Sequence, residues 1–150
     1  MTNKLFVYGS LMSGVATPIA TYLKSNSKFL GEAVLEGKLY DLGKYPGIVP
    51  KEDGGHWVKG HIFELSDPEK MLPVLDRYEG TTDEFEQPTE YIRVEARVRW
   101  NLQETNCWVY QYNPPTDHLQ LIESGDYLAY LAITPAYQQF LKSLVGFTRH

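Results

Sequence analysis

The run "YIRVEARVRW", residues 91–100, alternates apolar and polar side chains over its whole length, with Ile92, Val94, Ala96, Val98 and Trp100 on one side. A helix would scatter these five residues around its circumference, so the segment reads as a strand with one covered face. "CWVYQY" (107–112) follows after the polar stretch "NLQETN" and forms a hairpin with it. Strand signals also mark residues 4–8, "AVLEGKLYDL" (33–42) and "HWVKGHIFEL" (56–65), which brings the expected strands to five. A strand-rich middle with helices at its margins predicts an α+β fold, a small curled or closed mixed β-barrel flanked by a few short helices.

The best-marked helix lies in "SDPEKMLPVLDRYEG". Ser66 and Glu69 have the spacing of a capping box, Pro68 falls in the tolerated first turn and Gly80 supplies the stop. Pro73 falls inside that helix, where a kink or a short 3₁₀ portion is expected. A second short helix is expected over 17–24. A third is expected from Pro135 to about Val145 with Thr134 as N-cap, as a C-terminal extension over 134–150 whose Tyr137, Phe140, Leu141 and Leu144 form an apolar stripe. No repeat or long linker divides the chain, and 150 residues suit one domain.

A net charge of −5 argues against a nucleic-acid partner, because phosphate binders rely on clustered cations. Arg93, Arg97 and Arg99 are the local basic cluster, and they alternate with Glu95 as a solvated strand face does. The lone Cys107 cannot form an internal disulfide, and no apolar run is long enough to span a membrane, so a cytoplasmic location is the default. The oligomeric state leaves no trace in the sequence. His56, His61, His118 and His150 are scattered, so no metal site is expected.

Glu79 stands out because it ends a helix, where the negative pole of the macrodipole disfavours a carboxylate, and Asp76 lies nearby. That field, with some burial, would lift its pKa toward neutrality, as a general base at pH 7 requires. The plain alternative is an exposed Glu79 paired with Arg77 or Lys70. In "LFVYGSL" (5–11), Gly9 permits close backbone approach, and the N–H groups of Gly9, Ser10 and Leu11 could converge on a carboxylate or oxyanion. An ordinary strand-ending turn is the alternative there. Ser10 as a nucleophile lacks both a G-x-S-x-G context and a visible base.

"FVYGSL", "LYDLGKYPGIV" (39–49), "VKGHIFEL" (58–65), "LDRYEG" (75–80), "YIRVEARV" (91–98) and "WVYQY" (108–112) occur in the order seen in the gamma-glutamylcyclotransferase-like family, which the chain resembles over residues 5–128. "IESGDYLAY" (122–130) resembles the family's closing segment, with Tyr127 where many members have Trp. The resemblance implies a compact barrel with a cavity between "YGSL" and "YEG", Glu79 as catalytic carboxylate, and Tyr8, Gly9, Ser10, Leu11, Tyr91 and Arg93 as substrate-binding residues. It implies a cofactor-independent cyclotransferase that releases 5-oxoproline from a small gamma-glutamyl amide. A non-catalytic binding or interaction module on the same barrel, and a relative that removes a gamma-glutamyl group from a specialised metabolite, remain alternatives.

Overall fold

In a computed structural model, the alternating run forms β5 (Tyr91–Trp100) and folds straight back on β6 (Gln103–Tyr112), with Tyr91 opposite Tyr112 and Trp100 opposite Gln103. The structure describes residues 2–9, 17–43, 45–80 and 89–133; the expected helix over 135–145, Ser10 and Leu11 lie outside the described residues. The turn consists of Asn101 and Leu102 alone, with φ of 53° and 64°. Two successive left-handed residues match the right-handed twist of paired strands, so no longer loop is needed. The second strand therefore begins at Gln103 rather than Cys107: "QETN" is a polar end of the ladder instead of a turn.

Four further strands build most of the remaining sheet: β1 (Lys4–Val7), β2 (Ser27–Asp41), β3 (Pro46–Pro50) and β4 (Trp57–Leu65). Their order is β1-β4-β2-β3-β6-β5, and additional β1–β6 and β2–β5 pairings close it into a mixed barrel. A two-residue strand, β7 (Gln120–Leu121), pairs with β2. β2 starts earlier than its sequence pattern suggests, because a bulge between Phe29 and Gly31 breaks the alternation while pairing to β4 continues on both sides. β3 is hidden in the sequence by its bracketing prolines. Pro46 and Pro50 occupy its ends, where a missing N–H interrupts the ladder least.

Helix α1 (Pro18–Ser25) is capped by Thr17, whose hydroxyl accepts from Ala20 N at 3.2 Å. Helix α2 (Pro68–Glu79) is capped by Asp67 instead of Ser66: the Asp67 carboxylate accepts from Lys70 N at 3.3 Å, while the Ser66 hydroxyl donates to Asn26 O at 2.6 Å. No 3₁₀ portion appears at Pro73, and α2 is α-helical throughout. Pro73 and Glu69, the residue whose carbonyl loses its donor, are both exposed, so water can take the unpaired oxygen. Gly80 stops the helix with φ 72° and ψ 35°, in the left-handed region that costs glycine nothing. A short helix, α3 (Tyr127–Ala132), follows with Asp126 as cap.

Alternation along the strands feeds two apolar clusters. Phe6, Tyr8, Leu35, Ile48, Val58, Ile62, Val98 and Val109 belong to one, with Val94, Ala96 and Trp100 of β5 packed against it. Leu5, Val7, Phe63, Leu65, Tyr91 and Tyr110 belong to the other, together with Leu23 of α1 and Met71, Leu72 and Leu75 of α2. Tyr91 thus lies on the face of β5 that meets the helices. The Met71–Leu72–Leu75 stripe holds α2 on the sheet and brings its last turn to the barrel.

Candidate functional site

Glu79 is the last residue of α2, and its side chain is drawn in rather than spread into solvent. Burial strips its carboxylate of water and raises its pKa from the ordinary 4.5 to about 7. Desolvation, not an ion pair, dominates its electrostatics. The negative charge of Glu79 also reaches Tyr8, Tyr45, Tyr91 and Tyr110, helping to hold all four phenols in their neutral form.

Those phenols come from separate elements. Tyr8 follows β1; its hydroxyl donates to Tyr110 O at 2.6 Å and accepts from Ile48 N at 3.3 Å. Tyr91 opens β5 and donates to Pro46 O at 2.6 Å. Burial is the main reason that Tyr8, Tyr91 and Tyr110 are pushed above the usual phenol range. Tyr45 precedes β3, is 42% exposed, and is lifted to about 12, chiefly by its hydrogen bond with Glu90. Its ring lies 6.2 Å from that of Tyr91, whose other side meets Tyr112 edge-on. Thr89 is buried, with its hydroxyl donating to Tyr91 O at 2.8 Å, and Asn113 Nδ2 donates to Thr89 O at 3.0 Å, so the entry to β5 is tied down.

Arg93 is committed within the protein. Its Nε donates to Asp76 Oδ1 at 2.7 Å and its Nη2 to Asp76 Oδ2 at 3.2 Å, while its guanidinium lies 4.3 Å above the Trp108 ring. Tyr110 also donates to Asp76 Oδ1, at 2.8 Å. The rest of the basic cluster is dispersed, with Arg97 paired to Glu104 at 3.6 Å and Arg99 over Trp57.

Gly9 lies beside Pro46: a Cβ there would come within 3.0 Å of Pro46 Cγ and 3.2 Å of Cδ. The close approach that crowds a side chain at Gly9 is therefore that of Pro46 in β3. Of the residues expected in the site, Tyr8, Gly9, Glu79 and Tyr91 gather around one end of the barrel, and Arg93 reaches it through Asp76. Tyr45 and Tyr110 were not anticipated. For Tyr110 a signal existed, since "WVYQY" sets it in register with Arg93 across the hairpin.

A separate groove of about 470 Å³ lies between β2, β4 and α3 and contains none of these residues. Three of its charged side chains are already engaged, with Lys59 3.7 Å from Asp126 and Arg99 stacked on Trp57. Glu79 is therefore the better focus for chemistry. Among the described residues, no group of three or more His, Cys, Asp or Glu side chains is arranged to hold a metal ion, and no helix is long and apolar enough to cross a membrane. Cys107 is buried, and burial pushes its thiol up to about 12, which suits a packing role.

The family model for "Gamma-glutamyl cyclotransferase, AIG2-like" matches residues 5–129. The chain belongs to this family. The gamma-glutamylcyclotransferase family protein YtfP of Escherichia coli K12 is 32% identical over 126 residues, covering 83% of this chain and 96% of YtfP. The solution structure of Escherichia coli ytfP superposes with a TM-score of 0.60 over 85% of this chain and 97% of that one, at 32% identity. An AIG2-like protein of Mus musculus superposes with a TM-score of 0.61 at 26% identity, over 89% and 90% of the two chains. The family match thus includes β1, the last turn of α2 and the β5–β6 hairpin, the elements that carry the site.

Proposed function

We propose that this protein releases 5-oxoproline from a small gamma-glutamyl amide, with Glu79 as the acid and base. The observation that carries this reading is the carboxyl of Glu79, desolvated at the end of α2, close enough for its charge to act on Tyr8, Tyr45, Tyr91 and Tyr110, and poised near pH 7. A group with that affinity can both accept and return a proton at neutral pH.

In the reaction, Glu79 takes a proton from the substrate's α-ammonium group. The freed amine attacks the γ-carbonyl carbon, forming the C–N bond of a five-membered ring. The tetrahedral intermediate collapses as the bond to the leaving nitrogen breaks and Glu79 gives that nitrogen its proton; the ring nitrogen sheds its second proton to solvent. Both reacting groups belong to one molecule, so the protein's main work is to fold the substrate and exclude water. The Gly9–Leu11 amides would receive the substrate carboxylate or the developing oxyanion, a role for which Arg93 is poorly placed while Asp76 occupies its fork. Tyr8 and Tyr91 would line the pocket, keeping a free lone pair on hydroxyls whose protons are already donated.

Incubating the protein with gamma-glutamyl amines, gamma-glutamyl dipeptides and glutathione, and measuring 5-oxoproline, tests the proposal. Formation of 5-oxoproline from at least one substrate, lost in Glu79→Gln, is the expected result. Binding without release from any of them would reduce the protein to a binding module.

A further inference from the structure

We propose that Asp76, Arg93 and Tyr110 form a positioning unit for Glu79, in which Arg93 ties the last turn of α2 to the barrel and cancels the like charge of Asp76. Asp76 and Glu79 are three residues apart on one helix and therefore lie on the same face. Left unpaired, Asp76 would repel the ionised Glu79. Arg93 meets it with a two-pronged contact of 2.7 and 3.2 Å between side chains only 24% and 18% exposed, a setting in which the pair is screened far less than on the surface.

Tyr110 makes the arrangement more than an ion pair. Its hydroxyl donates to Asp76, and its carbonyl accepts from Tyr8. One residue of β6 thereby joins the helix that carries Glu79 to Tyr8 at the end of β1. The Trp108 ring beneath the guanidinium gives Arg93 a further contact from β6. Among the described residues, the titratable groups whose interactions reach Glu79 from other elements are Tyr8, Tyr45, Tyr91 and Tyr110, all neutral near pH 7, with Glu90 beside Tyr45 and Tyr91. Arg77 shares the last turns of α2. Changing one member of the Asp76–Arg93 pair therefore alters the local charge by one while Glu90 and Arg77 stay as they are.

The inference builds on the acid–base role of Glu79, and its test reads Glu79 without turnover. Selective ¹³C labelling of glutamate, with the Glu79 resonance assigned by its absence in Glu79→Gln, gives the ionisation midpoint of this carboxyl in the ligand-free protein. Arg93→Gln should raise the midpoint by about 0.5–1 pH unit, because a positive charge held against Asp76 is removed, and Asp76→Asn should lower it by a similar amount, because a negative charge on the same helix face is removed. The double variant should return close to the parent value, and Arg93→Lys should stay near it. Loss of packing alone would not move the two single variants in opposite directions. Midpoints that stay put, or move the same way in both folded variants, would overturn the proposal. If Arg93→Gln does not fold, Asp76→Asn against Arg93→Lys carries the comparison. Opposed shifts without any 5-oxoproline release would leave this inference standing and remove the proposed function; turnover with unmoved midpoints would do the reverse.

Discussion

Replacing Glu79 by glutamine should make the protein more stable and less active, and the gain in stability should depend on pH. The carboxyl titrates at about 7 in the folded chain against an ordinary value of 4.5, so the native state holds its proton more tightly than the unfolded chain does. Between these two values the folded state binds more protons, and stability falls as pH rises. At about 1.4 kcal/mol per pH unit, keeping a buried carboxylate ionised above pH 7 costs about 3 kcal/mol. Glutamine has nearly the shape of the protonated acid and never has to carry the charge. Urea unfolding should therefore find Glu79→Gln more stable than the parent by about 3 kcal/mol at pH 8–9, with the difference closing as pH drops toward 4.5. Turnover should fall by roughly two to four orders of magnitude, the usual worth of general acid–base catalysis. A variant that is destabilised at every pH, or stabilised by the same amount at pH 4.5 and pH 9, would refute the claim that desolvation sets the behaviour of Glu79.

Tyr8→Phe should lower unfolding stability by about 1–3 kcal/mol, because it strips a buried partner from both Tyr110 O and Ile48 N, as denaturant titration would measure. An unchanged midpoint and slope would mean that the Tyr8 hydroxyl bonds contribute nothing net. Leu102→Gly should raise stability by about 0.5–1 kcal/mol: Leu102 is fully exposed, so no packing is lost, and the strain of its left-handed backbone outweighs the extra freedom that glycine has when unfolded. A lower thermal midpoint in calorimetry would argue against strain at that turn.

The parts of this molecule that are legible in its sequence are those in which a single periodicity acts alone. β5 has clean alternation and an apolar stripe that packs against the barrel core at Val98, so its ends follow from the letters, whereas the covering of its other face at Tyr91 does not. Prolines at both ends of β3 imitate a loop, and the bulge at Phe29–Gly31 shifts the pattern of β2 by one residue and hides its first residues. The cap of α2 moved from Ser66 to Asp67 for a tertiary reason: the Ser66 hydroxyl is taken by Asn26 O, 40 residues away. At the site, the conflict between Glu79 and its helix end is visible in one dimension, but the helix dipole is not what raises its pKa: burial does. Arg93 illustrates the opposite failure. On its strand it alternates with Arg97 and Arg99 as though all three faced water, yet only Arg93 lies where the helix returns, and a carboxylate 17 residues earlier takes its fork. Strand alternation tells which side of a sheet a residue is on; what covers that side is decided by the element that packs there. The chemistry of this site accordingly resides in the contact between α2 and the barrel, and substitutions that loosen that contact should alter the titration of Glu79 without touching it.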